Sequence, residues 1–410
     1  MSLDVKTSIR QGLNVAQRME EINSFIVVDF ITRAKALEEK GKNIINLAVG
    51  EPDFPTPEPL IKAAIKALEN NQIKYTPSLG GSLLRKELAG WYRTRYGVDI
   101  DPNRVAVTSG STAALVLVMG VILSPGDEVL MADPGYPCNR NIVRAMEGRA
   151  VSVPVGPDTS YQLTAELIKK NWTENTVAAL VASPSNPTGT VVSDSELRLI
   201  HDVVQGFGGS LIVDEIYHGL TFGADAKSAL NFTDNVFVIN SFSKYFGMTG
   251  WRLGWTVAPK PFIPELEKLA QNLYISNSDI AQQAALAAFR PETIAIAEKN
   301  RVEYEKQRNY LLPKLREMGF IIPVDPQGAF YIYADCSNFT NDSYQFCVEI
   351  LETVGVAIAP GADFGEFRAK HHVRFSYPKP IKVLSEGLER LEKFLKVNFD
   401  SFRKKIEKDN

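Results

Sequence analysis

Cysteine is scarce in this sequence. Of 410 residues only Cys138, Cys336 and Cys347 carry a thiol, and they are scattered and odd in number. That leaves no disulfide framework and no CxxC pair. Histidine is as sparse: four residues with no HExxH spacing, which argues against a histidine-built metal site. The adjacent pair His371-His372, beside Lys370, reads as a solvated loop. An excess of one charge is also missing. The 45 Lys and Arg stand against 48 Asp and Glu, a balance of −3, so there is no electrostatic footprint for nucleic acid. No apolar run reaches the roughly 20 residues that span a bilayer. The longest, Ala113 to Leu123, stops before Pro125. Near the N-terminus Lys6, Arg10, Arg18, Glu20 and Glu21 interrupt every apolar run, which argues against a signal peptide. A cytoplasmic setting with no membrane partner is the expectation. Internal repeats and low-complexity segments are absent.

What is present is a regular alternation of short apolar runs and helical patterns. Strands are expected at Arg104 to Thr108, Glu128 to Met131, Val177 to Ala182, Leu211 to Val213 and Val236 to Ile239. Thr112 to Leu123 reads as a buried helix, and Ser193 with Glu196 has capping-box spacing before another. Apolar strands separated by helices argue an α/β fold with a mainly parallel sheet covered on both faces. The length suggests roughly two to three domain-sized units. Residues 51–290 form the central block, and the pattern changes after Pro291. A long charged helix is expected from about Glu292 to Met318, then strands near Phe320–Pro323 and Gly328–Tyr333. Residues 291–410 thus read as a smaller α+β unit, with the short segment 1–50 packing against it.

In open parallel sheets, ligands bind beyond the carboxyl ends of the strands. The polar residues there are the first suspects. Thr108-Ser109-Gly110-Ser111-Thr112 follows a strand and opens a helix. Free amides and two hydroxyls at such a point suit a phosphate; a capped turn with no ligand is the alternative. Asp214 ends an apolar strand, with Tyr217 three residues on. A carboxylate there wants a cationic partner, or serves as a helix cap. Lys244 sits in a loop rich in Phe, Tyr and Met, and Arg252 follows between Trp251 and Leu253. Desolvation lowers an amine's pKa and makes it nucleophilic. A buried arginine needs an anion, either a phosphate or a structural carboxylate. An amine, a carboxylate, a phosphate-type turn and an arginine together suit pyridoxal 5′-phosphate (PLP).

At this point the chain resembles the class I PLP-dependent aminotransferases, of the fold-type I, aspartate aminotransferase superfamily. The most specific run is Ser241-Phe242-Ser243-Lys244-Tyr245-Phe246-Gly247-Met248-Thr249-Gly250-Trp251-Arg252-Leu253-Gly254. Ser183-Pro184-Ser185-Asn186-Pro187-Thr188-Gly189, Asp214-Glu215-Ile216-Tyr217, Gly50-Glu51-Pro52-Asp53-Phe54 and Lys74-Tyr75-Thr76-Pro77 add to it. The resemblance implies a seven-stranded, mainly parallel sheet in the large domain and a smaller α+β domain drawn from both termini. It implies that Lys244 bonds the cofactor aldehyde and shuttles protons, and that Asp214 keeps the pyridine nitrogen protonated. Tyr217 and Asn186 would bond the ring oxygen, and Tyr136 would stack on the ring. Ser111, Thr112, Ser241 and Arg252 would hold the phosphate, joined by Tyr75 from the other subunit of a homodimer. Arg374 would grip the substrate α-carboxylate, assisted by Asn186 and the Gly50 backbone. The resemblance also suggests a cis Asn186-Pro187 bond and, by analogy, Ile26 at the substrate entrance.

The activity implied is ping-pong transfer of an amino group from an L-amino acid to a 2-oxo acid. A C–S β-lyase, an aminocyclopropane-carboxylate-type synthase or a non-catalytic PLP-binding regulator are the competing readings. The intact Met248 to Arg252 run favours transamination, and no basic N-terminal domain supports a regulator. Thr112 stands where many prokaryotic aspartate aminotransferases have a lysine for the distal carboxylate, which puts dicarboxylate substrates in doubt.

Overall fold

A computed structural model describes residues 15–223 and 226–409. Its centre is a seven-stranded sheet built from β2 (Val105–Thr108), β3 (Glu128–Asp133), β4 (Arg149–Pro154), β5 (Thr176–Ala182), β6 (Ser210–Asp214), β7 (Phe237–Ser241) and β8 (Gly254–Val257). The order across the sheet is β2-β8-β7-β6-β5-β3-β4. Only β8 runs antiparallel to its neighbours, and the other pairings are parallel. Strands β4 and β8 are the two that the run-by-run reading passed over. Half of β4 is exposed and polar residues interrupt it, so it lacks a long apolar run.

The inner strands are mostly apolar because both faces are covered. In β6, Leu211 and Val213 join one core cluster, which holds Leu197, Ile200 and Val204 of the helix Asp194–Gly206. Ile212 joins the other, with residues of the helices Gly110–Ile122, Pro137–Ala145 and Ile263–Leu273. Successive side chains on a strand alternate between faces. Asp214 therefore shares a face with Ile212 and with the helix that starts at Gly110.

Ser193 caps the helix Asp194–Gly206 through its hydroxyl, which accepts from the Glu196 amide at 3.2 Å. Glu196 does not complete a capping box; its carboxylate accepts from the Ala165 amide of a neighbouring helix instead, at 2.7 Å. The long helix runs Pro291–Glu317. Its first residue is a proline, whose missing N–H costs nothing there.

A three-stranded antiparallel sheet follows, built from β9 (Tyr331–Asp335), β11 (Ala359–Pro360) and β12 (His372–Ser376) in the order β11-β12-β9. The strand expected over Phe320–Pro323 is reduced to one bridge, Ile321 to Asp335, and the next begins at Tyr331 rather than Gly328. His372 is not in a solvated loop. It is buried in β12 and stacks on Tyr333 with ring centroids 4.6 Å apart. The N-terminal segment joins this region: β1 (Ile45–Asn46) pairs in parallel with β10 (Val356–Ala357), and the Ser376 amide donates to the Leu47 carbonyl at 2.7 Å. That carries Ala48 and Gly50 from the smaller sheet toward the larger one. Among the described residues, no helix is long and apolar enough to cross a membrane.

Candidate active site

The ends of β2, β3, β5, β6 and β7 fall on one edge of the large sheet. Register places Thr108 beside Gly254, and Gly254 beside Ser241. The turn after β2, the carboxylate of β6 and the lysine loop after β7 are therefore neighbours, although up to 136 residues separate Thr108 from Lys244 in the chain. They open on a cavity of about 320 Å³, a usual size for a small-molecule site. Of the residues singled out from sequence, Gly50, Ser111, Thr112, Tyr136, Asn186, Asp214, Tyr217, Lys244, Arg252 and Arg374 line it.

Lys244 Nζ donates to the Gly50 carbonyl at 2.7 Å and lies 5.6 Å from the Phe330 ring centre. Burial, more than any neighbour, lowers its pKa to about 8; Arg374 and Arg252 push the same way, while Glu51 and Asp214 oppose. Asp214 Oδ1 accepts from the Ile216 amide at 3.1 Å. Burial raises its pKa to about 6, against the pull of that amide and of Lys244. The Tyr217 hydroxyl is 2.7 Å from that of Tyr331.

Arg374 reaches the cavity from β12. It donates to Asn186 Oδ1 at 2.8 Å and to the Ala48 carbonyl at 2.5 Å. Its guanidinium lies 4.3 Å from the Tyr331 ring centre and 4.6 Å from that of Phe364. Its Nε has no hydrogen-bond partner among the described residues. The Asn186-Pro187 bond that precedes this contact is cis.

Arg252, Ser241 and Ile26 sit differently from expectation, whereas Tyr75, expected at the other subunit's site, lies outside this chain's own cavity. Arg252 is exposed rather than buried. It adopts a left-handed backbone with φ +51° and donates to the Thr249 carbonyl at 3.0 Å. Ser241 lies behind the cavity wall, its hydroxyl bonded to Ser243 Oγ at 2.9 Å and to the Leu253 carbonyl at 3.0 Å. Ser243 is the serine on the wall. Ile26 does not line the cavity, whereas Phe25, Val27 and Val28 do, because consecutive positions at a helix start point in different directions. Tyr75 is 86% exposed and away from this chain's own cavity.

The sequence pattern of an aminotransferase of class I and II matches residues 42–391. The chain belongs to that family. It is an aminotransferase, and family membership implies PLP as cofactor. It is 40% identical over 373 residues to the valine–pyruvate aminotransferase of Mycobacterium tuberculosis, covering 90% of this chain and 96% of that one. It is 35% identical to a (5-formylfuran-3-yl)methyl phosphate transaminase of Methanocaldococcus jannaschii, covering 93% and 99%. A crystal structure of an aminotransferase from Mycobacterium tuberculosis superposes with a TM-score of 0.90 at 39% identity, covering 94% of this chain and 99% of that one.

The residues present suit PLP. A Cβ on Gly110 would come within 2.5 Å of Arg252 Nη2, and one on Gly254 within 2.7 Å of the Ser111 nitrogen. Glycine at both points lets a guanidinium and a helix N-terminus converge, which is a phosphate cradle. The aminotransferase also keeps a buried carboxylate and a lowered amine on the same cavity, as a cationic ring nitrogen and an aldehyde require.

Tyr331, Ser243, Asp363 and Phe364 were not singled out from sequence, yet they line the cavity. Ser243 lay inside the lysine motif, where the phosphate role was given to Ser241 alone. The other three come from the smaller unit and carry no local signature.

Glu215, next to Asp214, turns away from the cavity. Its Oε1 accepts from Ser228 Oγ at 3.0 Å and the Ala229 amide at 2.8 Å. Oε2 lies 3.4 Å from His218 Nδ1. Burial raises the Glu215 pKa to about 8 and lowers that of His218 to about 3. An acid with a raised folded pKa holds its proton more tightly when folded, so its contribution to stability is lost as pH rises from about 4.5 through about 8. Glu215→Gln removes that slope. The urea midpoint of the variant, relative to wild type, is expected to rise between pH 5 and pH 8.5. A difference that stays constant with pH would reject the assignment.

Proposed function

We propose that the chain binds PLP with the residues named above and transfers an amino group between an L-amino acid and a 2-oxo acid in a homodimer with shared sites. The observation that carries the reading is the meeting of Lys244, Asp214 and Arg374 on one cavity, with the lysine lowered to about 8. Bound PLP supplies an aldehyde for amines and a protonated ring that disperses the electron pair left when an α-proton departs.

Asp214 fixes the negative charge against the ring nitrogen. Tyr217 and Asn186 hold the ring oxygen, and Tyr136 covers the ring face. Ser111, Thr112, Arg252 and the Ser241–Ser243 pair take the phosphate. Arg374 takes the substrate α-carboxylate as a fork; Asn186, Ala48 and the two flanking rings hold that fork before substrate arrives, which reduces the ordering left for binding. Lys244 Nζ accepts the proton from the substrate Cα. With a pKa near 8, roughly one lysine in ten is neutral at pH 7, against about one in three thousand at the ordinary value of 10.5. Residues 51–290 serve as the cofactor-binding domain, and residues 291–410 with the segment 1–50 as the smaller one.

Half-reactions test the transfer. On adding an amino acid alone, the visible band of the PLP-loaded protein is expected to disappear, and to return with a 2-oxo acid. A band that persists while pyruvate or ammonia accumulates would overturn the reading.

The shared site rests on Tyr75. Its loop is pinned: the Lys74 amide donates to Asp279 Oδ2 and the Thr76 amide to Ser276 Oγ, both at 2.8 Å. Ile61, Ile65, Leu68, Ile73, Leu273 and Ile275 are exposed, and apolar exposure on that scale marks an interface. Mixing Tyr75→Ala chains with Lys244→Ala chains creates hybrids with one site free of both changes. Activity is expected to rise well above that of either parent; a mixture no better than its parents would reject sharing.

A further inference from the structure

Among the described residues, the cations on the cavity wall are Lys244, Arg252 and Arg374. The reading above engages all three, in proton transfer, the cofactor phosphate and the substrate α-carboxylate. On this chain's wall none is left for a second carboxylate. Thr112, at the position where a lysine could have stood, presents a hydroxyl, and the Cys138 thiol that hydrogen-bonds it is pushed up to about 11 by burial.

The wall available to a substrate side chain is apolar. Phe25, Val27 and Val28 enter from the start of the helix Ile26–Glu39. Phe25 lies 6.1 Å from Tyr136, ring to ring. Phe364 closes the side next to Arg374. A carboxylate set against these groups loses water and gains no partner, a cost far larger than that of the hydrocarbon it replaces.

The one charged group in this part of the wall is an acid. Asp363 is buried. Its Oδ1 accepts from the Ile26 amide at 2.6 Å and the Val27 amide at 3.4 Å, the first amides of a 14-residue helix. Burial, the largest influence, pushes the Asp363 pKa up, while these helix amides and the nearby Arg374 and Arg140 favour the anion. The Asp363 backbone oxygen accepts from Arg140 Nη2 at 2.9 Å; Arg140 does not line this cavity.

We propose that this aminotransferase takes substrates with uncharged apolar side chains, branched aliphatic or aromatic, and that Asp363 excludes dicarboxylates. The proposal rests on the transaminase reading. Because both half-reactions use one pocket, the amino donor and the 2-oxo acceptor meet the same wall.

The test uses the PLP-loaded dimer and single-turnover loss of the visible band. Valine, leucine and phenylalanine are expected to give kcat/KM at least about 100-fold above aspartate and glutamate, within the range that a pocket's contacts can discriminate. The corresponding 2-oxo acids should restore the band in the same order. Asp363→Asn keeps an oxygen for the Ile26 amide. It should raise the acidic-to-apolar ratio at least about tenfold, through KM for the acidic donors. Val28→Arg places a cation on the rim at an already exposed position and should raise the same ratio without disturbing Asp363. Aspartate or glutamate within tenfold of the best apolar donor would overturn the subsite. Equal losses for both classes in Asp363→Asn would overturn the role of that residue. A band unmoved by every amino acid would overturn the transaminase reading together with this one.

Discussion

Replacing Lys244 by alanine is expected to lower kcat by at least about 10⁴-fold, because it removes both the amine that bonds the cofactor and the base for the α-proton. The surroundings explain why no other residue can substitute. The neighbouring cations on the cavity are arginines, which stay protonated and cannot accept a proton. Tyr217 and Tyr331 hydroxyls are bonded to one another, and burial holds both pKa values above their ordinary value. Lys244→Arg should lose as much, although it keeps a positive charge and a donor for the Gly50 carbonyl. The separation is measurable. Amino acids should still bind, since Arg374 and Asn186 are untouched, while single-turnover release of the 2-oxo acid nearly stops. A variant that retains a hundredth of wild-type turnover would remove Lys244 from the centre of the mechanism.

The second large effect belongs to Asp214. Asparagine is nearly isosteric and can still accept from the Ile216 amide, so the end of β6 should hold its shape. What it would lose is the fixed charge proposed to lie opposite the ring nitrogen. A fall in kcat/KM of about 10³-fold is expected, the scale of losing one preorganised charge in a water-poor site. The pH dependence is a second readout. Burial raises the Asp214 pKa to about 6, so in the cofactor-free protein it protonates as pH falls through that value. PLP affinity of the wild type should therefore weaken below about pH 6, and the affinity of Asp214→Asn should be weak and flat across the same range. Equal pH profiles in the two proteins would show that the carboxylate does not face the ring nitrogen.

Local chemistry explains which features were readable along the chain. Lys244, Asp214 and Gly110 each sit at the end of an apolar run, and a strand end in a parallel sheet is a site by geometry alone. A strand buried on both faces announces itself as a run of three or more apolar residues. That is why β2, β3, β5, β6 and β7 were legible and the half-exposed β4 was not. The pair His371-His372 shows the opposite case. Two histidines beside a lysine suggest solvent, yet β12 begins at the second of them and stacks His372 on Tyr333 from the next strand. Nothing in six residues of sequence encodes a cross-strand partner 39 positions away.

The sequence by itself determined the family and singled out Lys244, Asp214 and Arg374, because the chemistry proposed for each needs a particular residue in a particular local run. Tertiary structure alone decided which side chains complete the cavity. It put Ser243 on the wall with Ser241 behind it. It turned Phe25, Val27 and Val28 inward and Ile26 away, and it tied Asp363 to the start of the helix at Ile26 from 337 residues along the chain. Those choices depend on where the smaller sheet rests against the larger one. The packing of two units is a sum over many weak contacts, and no short stretch of chain carries it.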